Sequence, residues 1–135
     1  MASIRIERLI HAPADRVWDA IRDLGALHTR LVPGFVVDTV LEPNARIVTF
    51  GNGMVVRELV VDIDDARRRF AYSVRADGFQ HHNASNEIVS EGDRRCRFIW
   101  IADLLPAAMA ATVAGMMGQG ADVLKATMEQ AVAAP

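Results

Sequence analysis

The side chains of this chain that could do acid–base chemistry are few: Glu58, Tyr72 and His82, with Asn86 as a neutral hydrogen-bonding companion. A carboxylate surrounded by apolar groups has a raised pKa and can act as a general acid or base. Glu58 is the sharpest candidate for that role. The alternative is a surface glutamate paired with Arg57 or Arg75. His82, if turned inward, could bond a ligand or serve as a general base; otherwise it is a solvent-facing histidine at a loop end. Tyr72 and Asn86 would bring one hydroxyl and one amide to an apolar surrounding, or would satisfy each other or Glu58. His81 and His82 are adjacent on a strand and point to opposite faces, so they cannot share one metal ion. No cysteine or carboxylate stands at zinc-site spacing, and no metal is expected. His28 reads as a surface or capping residue.

Other chemistries lack their motifs. There is no phosphate loop, no Gly-x-Ser-x-Gly elbow and no cysteine–histidine nucleophile. Gly115-x-x-Gly118-x-Gly120 does not follow a strand and open a helix, so it is not a dinucleotide fingerprint. No cofactor is expected. The single cysteine, Cys96, reads as a small core residue in a reducing compartment.

The elements that must hold these groups follow from periodicity. Ile4, Ile6 and Ile10 share one face of an opening strand. Pro13 opens a helix whose apolar stripe is Val17, Trp18, Ile21 and Leu24, and Gly25 closes it. A second short helix is predicted over 26–31, before Pro33-Gly34. Strands follow over 35–41, 46–50, 54–63, 68–75, 80–89 and 95–103, separated by turn signals such as Gly51-Asn52-Gly53. If Glu58 faces inward, so do Val56 and Val60. Leu59, Val61 and Ile63 then lie outside with Ile99 and Ile101. Either that outer face is covered, as in a homodimer, or the strand is reversed. From about Pro106 to Gln130 the period changes. Met109, Val113, Met117, Gly120 and Leu124 make one face of a long helix. Three glycines within it, Gly115, Gly118 and Gly120, each cost about 1 kcal/mol against alanine. Close approach of the sheet or of a partner chain, or a bend, would explain them.

At 135 residues the chain is expected to form one domain, 1–135. A net charge of −2 does not suggest nucleic-acid binding. The clusters Arg67-Arg68-Arg69 and Arg94-Arg95-Arg97 read as local charge, the first neutralised by Asp64-Asp65. No window is long and apolar enough for a membrane span, and no leader pattern opens the chain. A cytoplasmic protein is expected.

Ala12-Pro13-x-x-x-Val17-Trp18, Asp23, Glu58-x-Val60, Asp64-Asp65-x-Arg67-Arg68, Trp100, Pro106 and Leu124 resemble, in type and order, the START-like (SRPBCC) helix-grip superfamily. That superfamily includes the polyketide cyclase/dehydrase and birch-pollen-allergen groups. The resemblance implies an α+β fold: a curved antiparallel sheet of six or seven strands wrapped around a long C-terminal helix, with two short helices after the first strand. The stretch 56–68 is similar to the plant abscisic-acid receptors, where the matching glutamate faces the ligand. Here the gating loop is cut to Gly51-Asn52-Gly53, and Ala84 replaces an aromatic pocket residue. Hormone binding is therefore not implied.

The superfamily's strand phase turns Phe70, Tyr72, Val74, His82, Ala84, Asn86, Ile88, Phe98, Trp100 and Ala102 inward. The expected ligand contacts are Glu58, Val60, Tyr72, Val74, His82, Asn86, Phe98, Trp100, Val113, Met117 and Leu124. The implied function is binding or transport of a small hydrophobic molecule. The alternatives are a cyclase/dehydrase-like enzyme using Glu58 with His82 or Tyr72, and an interaction module using the outer sheet face.

Overall fold

The computed structural model describes residues 1–133. The chain forms β1 (Ala2–Ile10), α1 (Ala14–Arg22), β2 (Val36–Glu42), β3 (Ala45–Phe50), β4 (Val55–Asp64), β5 (Arg69–Arg75), β6 (His81–Ser90), β7 (Cys96–Leu105) and α2 (Ala110–Ala133). The strands make one antiparallel sheet in the order β1-β7-β6-β5-β4-β3-β2. Every neighbour except β1–β7 is a sequential hairpin, as the regular turn spacing predicts. The architecture is the α+β helix-grip expected from the sequence.

Alternation decides what each strand buries. Phe70, Tyr72 and Val74 on β5, Ala84, Asn86 and Ile88 on β6, and Phe98 and Ala102 on β7 are buried, with Val56 and Glu58 on β4. The phase that turns Glu58 inward is thus the observed one. One residue departs from it. The β4–β5 register slips between Val60 and Asp62, a bulge that leaves Val61 62% exposed and pairs Ile63 with Phe70. Because a bulge adds one residue to a period-two strand, every later side chain changes face. Ile63, expected outside, therefore packs against the core.

The segment 26–31 is not one α-helix. It divides into a 3-10 turn, Leu24–Ala26, and a single wide π turn, Leu27–Leu31, closed by the Val32 N–H donating to the Leu27 carbonyl at 2.9 Å. Pro33 follows too soon for further turns, and this one suffices to bury both Leu27 and Leu31. The long helix likewise begins at Ala110 rather than Pro106. Pro106 is extended, and a 3-10 turn over Ala107–Met109 precedes α2.

Helix α2 buries Val113, Met117, Gly120, Ala121, Leu124 and Met128, a repeat of three and four residues. Its 24 residues give about 36 Å, the width of the sheet. Polar ties fix it beside β1. Arg8 Nε donates to Asp122 at 2.8 Å, and Lys125 Nζ donates to the Leu9 carbonyl at 2.7 Å.

Members of both arginine clusters pair with acids, those of the first cluster not with the adjacent Asp64-Asp65. Arg68 pairs with Asp15 at 2.8 Å, Arg67 with Glu87 at 3.6 Å and Arg97 with Glu91 at 2.8 Å. Asp65 is occupied elsewhere. It accepts from Trp18 Nε1 at 2.9 Å and from Arg22 Nε at 2.7 Å. Those two bonds, the Trp18 bond foremost, hold its carboxyl below the usual carboxylate range. They also fasten α1 to the β4–β5 turn.

Candidate functional site

A cavity of about 350 Å³ lies between the sheet and α2. Its floor is the inner face of β3 to β7, and α2 contributes Val113, Met117, Gly120 and Leu124. The turn containing Leu27 and Leu31, and Phe35 after it, complete the wall.

Phe35 closes the side between β2 and α2, and two glycines make its position possible. A Cβ on Gly120 would meet the Phe35 ring at 2.9 Å and Trp100 at 3.3 Å, so the helix offers a notch to both aromatics. A Cβ on Gly51 would meet the Gly34 carbonyl oxygen at 2.5 Å, and the Gly51 N–H donates to the Phe35 carbonyl at 2.9 Å. Phe35 also meets Phe50 edge to face, centroids 5.5 Å apart. Gly120 thus has the sheet-approach explanation. Gly115 does not, because its missing Cβ faces open space. Opposite effects are therefore expected from one substitution type in one helix. Gly120→Ala lowers stability by about 1–3 kcal/mol through overpacking, whereas Gly115→Ala raises it by up to about 1 kcal/mol. Urea unfolding of the two variants measures both.

The polar wall centres on Glu58, but not as the isolated carboxyl expected from the sequence. Arg46 stands directly across from it in the β3–β4 register. Arg46 Nε donates to Glu58 Oε1 at 2.9 Å, and Nη2 lies 2.9 Å from the same oxygen. The two side chains are only 6% and 9% exposed. Arg46 Nη1 donates to the Leu24 carbonyl at 3.2 Å, and the guanidinium carbon sits 5.3 Å from the centre of the Phe70 ring. Neither Arg57 nor Arg75 is the partner; Arg57 pairs with Glu42. The residue that sequence reasoning missed is Arg46, although a signal was present. Arg46 and Glu58 stand equally far on either side of Asn52, so the Gly51-Asn52-Gly53 hairpin must set them opposite each other.

Tyr72 stacks on Phe70 with centroids 5.0 Å apart, and its hydroxyl accepts from Trp100 Nε1 at 2.9 Å. Burial first, and then the Glu58 charge, push its pKa far above the ordinary tyrosine value. It is therefore a hydrogen-bond donor and not a phenolate. Asn86 is buried and lines the cavity, and its carboxamide makes no hydrogen bond among the described residues. His82 lines the cavity with its ring 4.9 Å from that of Phe79. Its Nδ1 is sealed without a partner. Burial, and then the neighbouring His81, lower its pKa, so His82 is neutral at physiological pH.

Strand register relates these groups. Glu58 pairs with Val74. The β5–β6 pairing runs as far as Ser73–Asn83, just short of Val74 and His82. Glu58 and His82 both line the cavity, on strands separated by β5. Of the expected ligand contacts, all but Val60 line the cavity. Val60 is half-buried just before the bulge and packs against the core instead. Reasoning from the strands alone also left out Phe35, Phe79 and the Leu27–Leu31 turn, which line it too. His28 lies outside the wall, its Nδ1 3.1 Å from Thr39 Oγ1. Cys96 is fully buried at the start of β7, and burial pushes its thiol up to about 11. Among the described residues, no group of three His, Cys, Asp or Glu could hold a metal ion. No described helix is long and apolar enough to cross a membrane.

A curved sheet gripping a long helix around such a cavity defines a START-like, helix-grip protein. Residues 1–129 match the family described as polyketide cyclase / dehydrase and lipid transport, and the chain belongs to that family. Solved structures share the fold at low sequence identity. An uncharacterised protein from Bacillus thuringiensis is 15% identical with a TM-score of 0.84, over 94% of this chain and 98% of that one. A START superfamily protein from Mycobacterium smegmatis is 16% identical with a TM-score of 0.77, over 95% and 97%. The di-domain ARO/CYC protein BexL of the BE-7585A biosynthetic pathway is 14% identical with a TM-score of 0.82, over 96% of this chain and 47% of BexL. No curated protein gives a significant match.

Proposed function

We propose that this protein binds a small, largely hydrophobic molecule in the cavity between sheet and helix. Glu58, Tyr72, Asn86 and His82 supply the polar contacts, while Val74, Phe98, Trp100, Val113, Met117 and Leu124 supply apolar ones. The observation that carries this reading is an apolar hollow holding a few convergent polar groups with unspent hydrogen-bonding capacity, the usual design of a small-molecule site. The family's description, which includes lipid transport, supports it. Native mass spectrometry of the protein as purified tests it. A mass adduct is expected that survives gentle ionisation and is released on unfolding. A bare protein that also fails to take up naphthalene-sized compounds would overturn the reading.

A second reading, a cyclase/dehydrase-like enzyme, is favoured by one observation: His82 stands in the cavity wall, and burial keeps its imidazole neutral. A neutral imidazole is a competent general base. Tyr72, which lines the same cavity, would be the proton donor. Glu58 is less suited to that work than the sequence suggests, because Arg46 already holds it.

A further inference from the structure

We propose that the Arg46–Glu58 pair acts as a charge filter, reserving the cavity for electrically neutral ligands that carry a hydrogen-bond donor, such as phenols and alcohols, and turning away carboxylates of the same shape. This rests on the ligand-binding reading above and specifies its ligand class.

Three observations combine. First, the guanidinium is already committed. Its Nε and Nη2 both address Glu58 Oε1, its Nη1 addresses the Leu24 carbonyl, and its face lies over Phe70. An incoming anion finds no free cation; it finds Glu58 at close range, where low dielectric amplifies like-charge repulsion. A cation gains less there than at a lone carboxylate, because Arg46 already lies 2.9 Å from the same group. Second, the carboxylate is only half committed. Glu58 Oε2 has no hydrogen bond among the described residues, and it is not sealed, because the one sealed and unpartnered side-chain polar atom among them is His82 Nδ1. Glu58 lines the cavity, so Oε2 is an acceptor offered to a guest. A donor on a neutral ligand gains a charge-assisted bond there. Third, the hydroxyl of Tyr72 spends its acceptor side on Trp100 and keeps its hydrogen. With the Asn86 amide it can bond a ligand oxygen without requiring charge. Glu58 and Arg46 together present no net charge, one strong acceptor and two neutral partners.

Three probes of one shape test this by calorimetry at neutral pH: 2-naphthol, 2-methoxynaphthalene and 2-naphthoate. The naphthol is expected to bind about tenfold or more tightly than the methyl ether, which lacks the donor, and than the carboxylate. Glu58→Gln should reverse the charge preference. It releases Arg46, so naphthoate gains about tenfold while naphthol loses its advantage over the ether. Circular dichroism confirms that the variant is folded, and the comparison of probes on the unmodified protein stands without it. Naphthoate binding as tightly as naphthol, or methoxynaphthalene equal to naphthol, would overturn the filter while leaving a hydrophobic binding site intact. Failure of all three to bind would overturn the cavity reading itself, and the filter with it.

Discussion

Arg46→Met is expected to lower the unfolding free energy by about 3–5 kcal/mol, because it strands a buried carboxylate. Arg46 and Glu58 are both almost completely out of water, and each is the other's charged partner. Removing the guanidinium leaves the Glu58 carboxylate in an apolar wall without its charged partner. It also removes the donor from the Leu24 carbonyl. A typical domain has only about 5–15 kcal/mol to lose, so the variant should be marginal at physiological temperature. The double variant Arg46→Met/Glu58→Leu should recover most of the loss, since a buried ion pair is seldom worth more than apolar residues of equal volume. Urea denaturation in the cold gives both values. A loss below about 1 kcal/mol for the single variant would mean that water reaches the pair. If the double variant were no better than the single, the damage would lie in packing and not in charge. Recovery in the double variant would mean that the pair is kept at a stability penalty apolar residues avoid, the result expected if it serves a ligand and not folding.

The sequence revealed the frame more readily than the site, for a physical reason. Strands and helices leave periodic marks, and the alternation in β5 to β7 and the three–four repeat of α2 each survive in a dozen residues. Turn chemistry is equally local: Gly51-Asn52-Gly53 announces its hairpin. The inward phase of Glu58 came from the family resemblance, since alternation alone, with Leu59, Val61 and Ile63 on the other face, left the strand open to reversal. What alternation cannot announce is an extra residue. The bulge at Val61 has no local signature, so alternation puts Ile63 on the outer face.

The partner of Glu58 was legible in principle and still overlooked. Reading β3 as apolar hides that Arg46 shares its inward face with Val48 and Phe50. Only when the hairpin is folded about Asn52 does the arginine arrive opposite the glutamate. The same applies to Phe35. A lone aromatic after Pro33-Gly34 reads as the start of a strand. Its task becomes visible only when Gly120, far along the chain, is brought against it. Pairings between distant segments carry the site, and single positions do not encode them.

Val74→Trp is expected to weaken binding of 2-naphthol by about 100-fold or more while changing stability by no more than about 1–2 kcal/mol. Val74 is buried on the inner face of β5, directly across from Glu58, and lines the cavity together with His82. An indole there occupies the space a ligand would need beside the carboxylate and the imidazole. In a solidly packed core the same change would force side chains off their rotamers and cost more than the cavity-filling case. Binding and stability therefore answer different questions in one variant. Lost affinity with retained stability places the ligand in an existing hollow. Retained affinity would move the ligand elsewhere, and severe destabilisation would mean that the hollow does not persist in solution. A smaller replacement, Val74→Ala, should leave affinity within a few-fold, because Glu58 Oε2, Tyr72 and Asn86 keep their positions. The contrast between tryptophan and alanine separates loss of space from loss of a methyl contact, and makes volume at this one strand position the quantity that governs binding.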